Sequence, residues 1–122
     1  MREPQIFFVA GQLPGFNDIV RKHWSTYDRL KRQWGTTCGY EIMVAKIQPV
    51  EKCTIHFRWQ EKTGRRDSDN VTGFMTKVIL DALTTTRIIQ DDTREFIQHT
   101  THEVVVRPQA PGVIVTITDV KA

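Results

Sequence analysis

Residues 53–83 read CTIHFRWQEKTGRRDSDNVTGFMTKVILDAL, and this stretch decides the fold. Cys53, Ile55, Phe57 and Trp59 alternate with Thr54, His56, Arg58 and Gln60, the period-two pattern of a strand with one face in the core and one face polar. From Val71 the apolar positions are Val71, Phe74, Met75, Val78, Ile79, Ala82 and Leu83, spaced as the buried stripe of a helix over three turns. Between the two, EKTGRRDSDN is polar and basic and predicts a loop.

On the N-terminal side, Gln5 to Ala10 is a short apolar run closed by Gly11 and Pro14, which predicts a strand buried on both faces. After LPGFND, the positions Tyr27, Leu30, Trp34, Cys38, Ile42 and Ala45 describe one face of a helix that Ser25 or Thr26 could cap. Gly35 and Gly39 fall inside it, each costing about 1 kcal/mol relative to Ala unless space is needed there. Close packing against the sheet would supply the reason; alternatively, two shorter helices meet at that point. On the C-terminal side, Phe96 to Arg107 and Gly112 to Thr118 predict two strands joined by a turn through Pro108 and Pro111. The order β-α-β-α-β-β implies one α/β domain over residues 1–122, a mixed sheet with two main helices packed on it.

Composition narrows the function classes only a little. The chain has 17 Lys and Arg against 14 Asp and Glu, a net charge of +3 that mildly favours a polyanionic partner. Cys38 and Cys53 form no C-x-x-C motif and have no His at zinc-site spacing, which suits a reduced, cytoplasmic chain. The apolar run near the N-terminus is too short for a signal segment or a membrane span, so no membrane partner is expected. His99 and His102, an i, i+3 pair in a predicted strand, should split across its faces, and the four histidines show no metal spacing.

The chemistry is concentrated in acidic residues. Asp67 and Asp69, at i and i+2 in an extended loop, would project to one side, and two such anions need a cation; hard oxygens of this kind suit Mg²⁺ or Mn²⁺. Asp91 and Asp92 could supply further carboxylates, provided the chain folds back after the second helix. Plain helix capping explains Asp67 to Asn70 equally well, and Asp91 and Asp92 read alone as a solvated turn. Asn70, Gly73, Lys77 and Asp81 line one polar stripe of the helix, so Lys77 would face the acidic loop and could stabilise charge on a phosphate. A surface salt bridge from Lys77 to Asp81 is the alternative, worth well under about 1 kcal/mol.

Taken together, RRDSDNVTGFMTKVILDAL followed by IIQDD resembles the signature of the RusA-type Holliday junction resolvases, or crossover junction endodeoxyribonucleases. The shared features are a basic run ending in Asp67, the Asp-x-Asp-Asn of Asp67 to Asn70, a helix carrying Lys77, the DAL of Asp81 to Leu83, and the later acidic pair. LPGFN, with Asn17 and nearby Arg21, also resembles a motif after the first strand of that family. The specific part spans about thirty residues, from Arg65 to Asp92.

The resemblance implies a homodimer, of a kind common in prophages, that binds four-way DNA junctions and cuts two opposed strands in recombination and repair. It implies Asp67, Asp69 and Asp92 as Mg²⁺ ligands with Asp91 assisting, and Lys77 as the essential basic residue. Arg65, Arg66, Asn70, Asn17, Arg21 and Lys22 would contact DNA, as would Arg29, Lys31 and Arg32 on the first helix. One departure stands out: in the family pattern the lysine follows the Asp-Asn pair by about three residues, where this chain has Gly73. A helix starting at Asn70 would place Lys77 about 6 Å too far along its axis, whereas a longer loop, with the helix starting near Gly73, would restore the pattern. The spacing from Lys77 to Asp81 favours the longer loop or a displaced first turn. The rival expectation is a DNA-binding protein without catalysis, in which the aspartates only cap a helix.

Overall fold

The alternating run becomes strand β2 (Cys53–Glu61), central in a four-stranded mixed sheet. The computed structural model describes residues 2–15 and 24–120, and at Asp69 the backbone alone. In chain order the elements are β1 (Gln5–Ala10), α1 (Trp24–Val44), β2, α2 (Ser68–Thr85), β3 (Ile97–Val106) and β4 (Gly112–Asp119). This is the single α/β domain expected from the sequence. The spatial order is β1-β4-β2-β3, with β2 parallel to β3 and β4 antiparallel to both β1 and β2.

Strands β3 and β4 follow one another in sequence yet are not neighbours, because β4 lies between β1 and β2. The connection crosses the end of β2, where Arg107 N–H donates to the Glu61 carbonyl at 2.8 Å and Gln60 Nε2 donates to the Ala110 carbonyl at 2.6 Å. Burial explains the choice. Val113, Val115 and Ile117 are all fully buried, which suits an interior position, whereas the largely exposed β3 suits an edge. Strand β1 is also an edge strand and is not buried on both faces: Phe7 and Val9 point into the core while Ile6 is 56% exposed.

One core holds the layers together. Phe7, Val9, Ile55, Phe57, Trp59, Val113, Val115 and Ile117 form its sheet side, and both helices cover that same face. All of the apolar positions expected on α2 are buried against it. Helix α1 contributes Cys38 and Ile42, with Leu30 and Trp34 partly buried, and Tyr27 meets Phe74 edge to face at 5.7 Å. Burial pushes the Cys38 thiol up to about 12 and the Cys53 thiol up to about 11, so both stay protonated and unreactive at neutral pH. No helix among the described residues is long and apolar enough to cross a membrane.

Helix α1 runs unbroken through Gly35 and Gly39, so two helices do not meet there. Nor does close packing against the sheet account for the glycines. A Cβ at Gly35 would meet no atom within 4 Å, and one at Gly39 would only touch Thr86 Cγ2 at 3.8 Å. Gly35→Ala is therefore expected to raise the unfolding free energy by about 0.5–1 kcal/mol, read as a higher urea midpoint at unchanged slope. A lower midpoint would mean that the space is needed.

The sheet edge carries a pH-sensitive contact. Trp59 Nε1 donates to His102 Nδ1 at 3.0 Å, and the His102 ring stacks on Phe57 at 4.8 Å. Burial, and then repulsion from His56, hold His102 below its ordinary value. The neutral ring is thus favoured by folding, and its contribution is complete above the ordinary histidine pKa and lost as pH falls through the depressed one. A proton on Nδ1 also removes the acceptor for Trp59. In an NMR titration, the Trp59 indole N–H resonance should move together with His102, with a midpoint below that of a free histidine; a midpoint above it would contradict the contact. As expected, His99 pairs with Thr54 and His102 with Phe57, on opposite faces.

Candidate functional site

Asp67 is the N-cap of α2. Its backbone is extended (φ −75°, ψ 164°), and its side chain accepts the Asn70 N–H at 2.9 Å. Helix begins at Ser68, so the Asp69 backbone is already helical and the extended-loop geometry expected for the Asp67 and Asp69 pair does not form. The same start removes the longer loop and the displaced first turn. Lys77 stays one turn further along than the family spacing, ten residues or about 15 Å of helix axis beyond Asp67.

The return after α2 brings the second acidic pair to this helix. Ile88 and Ile89 are buried, at 5% and 2% exposure, and their N–H groups donate to the Leu83 carbonyl at 2.9 and 3.3 Å. Val50 N–H donates to the Ile88 carbonyl at 2.9 Å, tying the turn to the segment before β2. With these apolar residues anchored, the chain runs back along α2 until Lys77 Nζ reaches Asp92 Oδ2 at 2.9 Å. Asp91 Oδ1 accepts the Asp92 N–H at 2.8 Å, which closes the acidic turn on itself.

Charges alternate from there across the helices. Lys77 also meets Asp81 at 3.2 Å, and Asp81 meets Lys31 of α1 at 3.6 Å. The hydrogen bond that Lys77 donates to Asp92, followed by the one it donates to Asp81, pushes Lys77 up; the same bond from Lys77 holds Asp92 below the usual carboxylate range. With Lys77 58% exposed, the pairs fix geometry more than stability and are worth under about 1 kcal/mol each. The expected Lys77–Asp81 bridge is present, and Asp92 joins it.

Under the acidic loop lies an ion pair that sequence reasoning missed. Glu61, only 7% exposed, receives Arg66 through two bonds, Nε to Oε1 and Nη2 to Oε2, both 2.8 Å. The signal was present: Glu61 continues the inward series Cys53, Ile55, Phe57, Trp59, and a carboxylate at a core-facing position requires a buried cation. Arg66 thus anchors the loop that presents Asp67, while Arg65 is exposed. Gly15 passes so close that a Cβ there would lie 2.7 Å from both Arg66 Nη1 and Asn70 Oδ1. The LPG segment therefore packs directly on the start of α2. Asn17, Arg21 and Lys22, and the side chain of Asp69, lie outside the described residues.

On α1, Arg32 pairs with Asp28 at 3.1 Å, so part of the basic face is neutralised locally. Arg94, not singled out from the sequence, lines an open cavity of about 440 Å³ with Asp92, Leu80 and Thr100. The carboxylate oxygens have the hard-donor chemistry that Mg²⁺ takes. Among the described residues, no group of three His, Cys, Asp or Glu side chains that could hold a metal ion is brought together. Asp67 and Asp92 are each placed by α2, one by capping its first turn and one by pairing with Lys77 near its middle. Neither a protein-family model nor a curated protein matches this chain.

Proposed function

We propose that this chain is a Mg²⁺-dependent, structure-selective endodeoxyribonuclease of the RusA type, resolving four-way DNA junctions as a homodimer by paired phosphodiester hydrolysis. The observation that carries the proposal is the contact of Lys77 with Asp92, which joins the basic residue of the motif to its second acidic pair across fifteen positions of sequence. By the resemblance, Asp67, Asp69, Asp91 and Asp92 are the residues that would hold Mg²⁺, which would supply positive charge for the scissile phosphate, although the described residues do not gather them into one group. Lys77, kept protonated by Asp92 and Asp81, steadies negative charge that develops on the phosphate. Arg65 holds backbone phosphates without reading sequence, and Asn70, at the start of α2, orients the strand beside Asp67. A two-fold dimer sets two such sites in opposed orientation, the symmetry that paired cuts require.

The second reading, a DNA-binding protein without catalysis, is favoured by the cap itself: Asp67 has a structural duty, and Lys77 already balances Asp92. Incubation with a four-way junction, a linear duplex and a single strand, in Mg²⁺ or in EDTA, separates the two. Paired cuts in the junction that need the metal support the nuclease. Metal-independent binding with no cutting supports the alternative.

A further inference from the structure

On its helix-facing side β3 presents Thr100, His102, Val104 and Val106, opposite Ile55, Phe57, Trp59 and Glu61 of β2. This row joins the two acidic stations of the candidate site. At one end Thr100 lines the cavity that holds Asp92, Arg94 and Leu80. At the other, Val106 lies against Gly64, where a Cβ would be 3.6 Å from its Cγ2, just before Arg65, Arg66 and Asp67. His102 stands between them, about 7 Å along the strand from Thr100 and about 13 Å from Val106. Helix α2 runs opposite to β2, because Arg66 at its start pairs with Glu61 and the Ile88 carbonyl beyond its end takes the Val50 N–H. From Leu80, which shares the cavity with Thr100, about 7 Å back along the helix axis reaches the turn of Thr76 and Lys77, so His102 stands level with that turn.

Trp59 fixes what this imidazole offers. An indole N–H can only donate, so the Nδ1 that takes it at 3.0 Å is the unprotonated nitrogen and the ring proton sits on Nε2. Stacking on Phe57 at 4.8 Å holds the ring in place, and burial and repulsion from His56 keep it neutral at neutral pH. The residue is nevertheless exposed, and Nε2 has no hydrogen-bond partner among the described residues. A nitrogen that carries a proton has no lone pair for a metal ion, so the ligand that fits it is a hydrogen-bond acceptor. The neighbours narrow the choice. Arg94 forms no ion pair among the described residues, the Thr100 hydroxyl stands beside it, and Asp92 is already met by Lys77, so this wall offers donors to an anion. We infer that His102 is a phosphate-holding residue whose Nε2–H donates to a non-bridging oxygen of a DNA strand running between Asp67 and Asp92, and that Trp59 is the residue that positions it. The inference rests on the nuclease reading for the identity of that strand.

Fluorescence anisotropy of a labelled four-way junction in EDTA reads binding apart from cutting. His102→Phe keeps a ring on Phe57 and loses both nitrogens, whereas His102→Gln keeps an acceptor for Trp59 and an outward N–H. His102→Phe should weaken binding about tenfold. The slope of log affinity against log salt should stay unchanged, because a neutral donor displaces no counterion. His102→Gln should bind within about threefold of wild type. Should the Phe variant unfold, ¹⁵N NMR of the wild type decides: Nε2 should carry the proton at neutral pH, and its signal should shift when the junction binds. In Trp59→Phe both tautomers should appear, and a single unchanged one overturns Trp59 as the positioning residue. Full affinity in His102→Phe, a loss that His102→Gln does not restore, or a proton on Nδ1 overturns the inference. Wild type that binds with the Nε2 shift but never cuts supports the contact and overturns the nuclease reading alone. Wild type that cuts with the Nε2 signal unmoved overturns the contact alone, and no binding of the junction overturns both.

Discussion

Arg66→Ala is expected to lower the unfolding free energy by roughly 3–5 kcal/mol, the cost of stranding one member of a buried ion pair. Glu61 keeps only 9% of its side chain exposed and sits on the core-facing side of β2, so water cannot replace the two bonds that Arg66 makes. The size of the effect comes from the orphaned carboxylate and not from the strength of the pair. Glu61→Leu combined with Arg66→Met should therefore recover most of the loss, since an apolar pair of similar volume leaves no buried charge. Urea unfolding at constant slope reads both numbers. A loss below about 1 kcal/mol for Arg66→Ala would show that the pair behaves as a solvated surface bridge. Local consequences should follow as well, because Gly15 and the start of α2 rest against the same guanidinium.

How much the sequence discloses depends on how local the physics is. Strand β2 and helix α2 are legible because a two-residue and a 3.6-residue period each sort apolar side chains onto one face, whatever the rest of the chain does. The position of β4 between β1 and β2 is not legible, since a short connection suggests pairing, while the actual order is set by which strand has the most apolar surface to bury. Gln5–Ala10 misled for a related reason: an unbroken apolar run is compatible with two buried faces, and Ile6 is exposed because no helix among the described residues covers the second face of the sheet.

In the site, capping by Asp67 was one of the readings open from the spacing of Asp67 to Asn70, and it also settles where the helix starts. A carboxylate that takes the Asn70 N–H nucleates the first turn at Ser68, which leaves no slack for the longer loop that would have shifted Lys77. The contact between Lys77 and Asp92 needed tertiary information, because it depends on Ile88 and Ile89 entering the core and turning the chain back.

The two duties assigned to Asp67 can be pulled apart by one substitution. Asn is as good an N-cap as Asp, so Asp67→Asn should keep the bond to the Asn70 N–H and change stability by only a few tenths of a kcal/mol. Asp67→Ala should cost about 1 kcal/mol by losing the cap. As a neutral amide, Asn is a far poorer ligand for Mg²⁺, and losing several kcal/mol of metal-borne charge stabilisation slows cleavage by about a hundredfold or more. The decisive measurement is therefore the rate of four-way junction cleavage in Mg²⁺ for wild type and Asp67→Asn at matched thermal stability. The nuclease reading predicts metal-dependent paired cuts by wild type and a rate at least about a hundredfold lower for Asp67→Asn. Equal rates in the two proteins, or no cleavage by wild type, would contradict it and leave Asp67 as a helix cap alone.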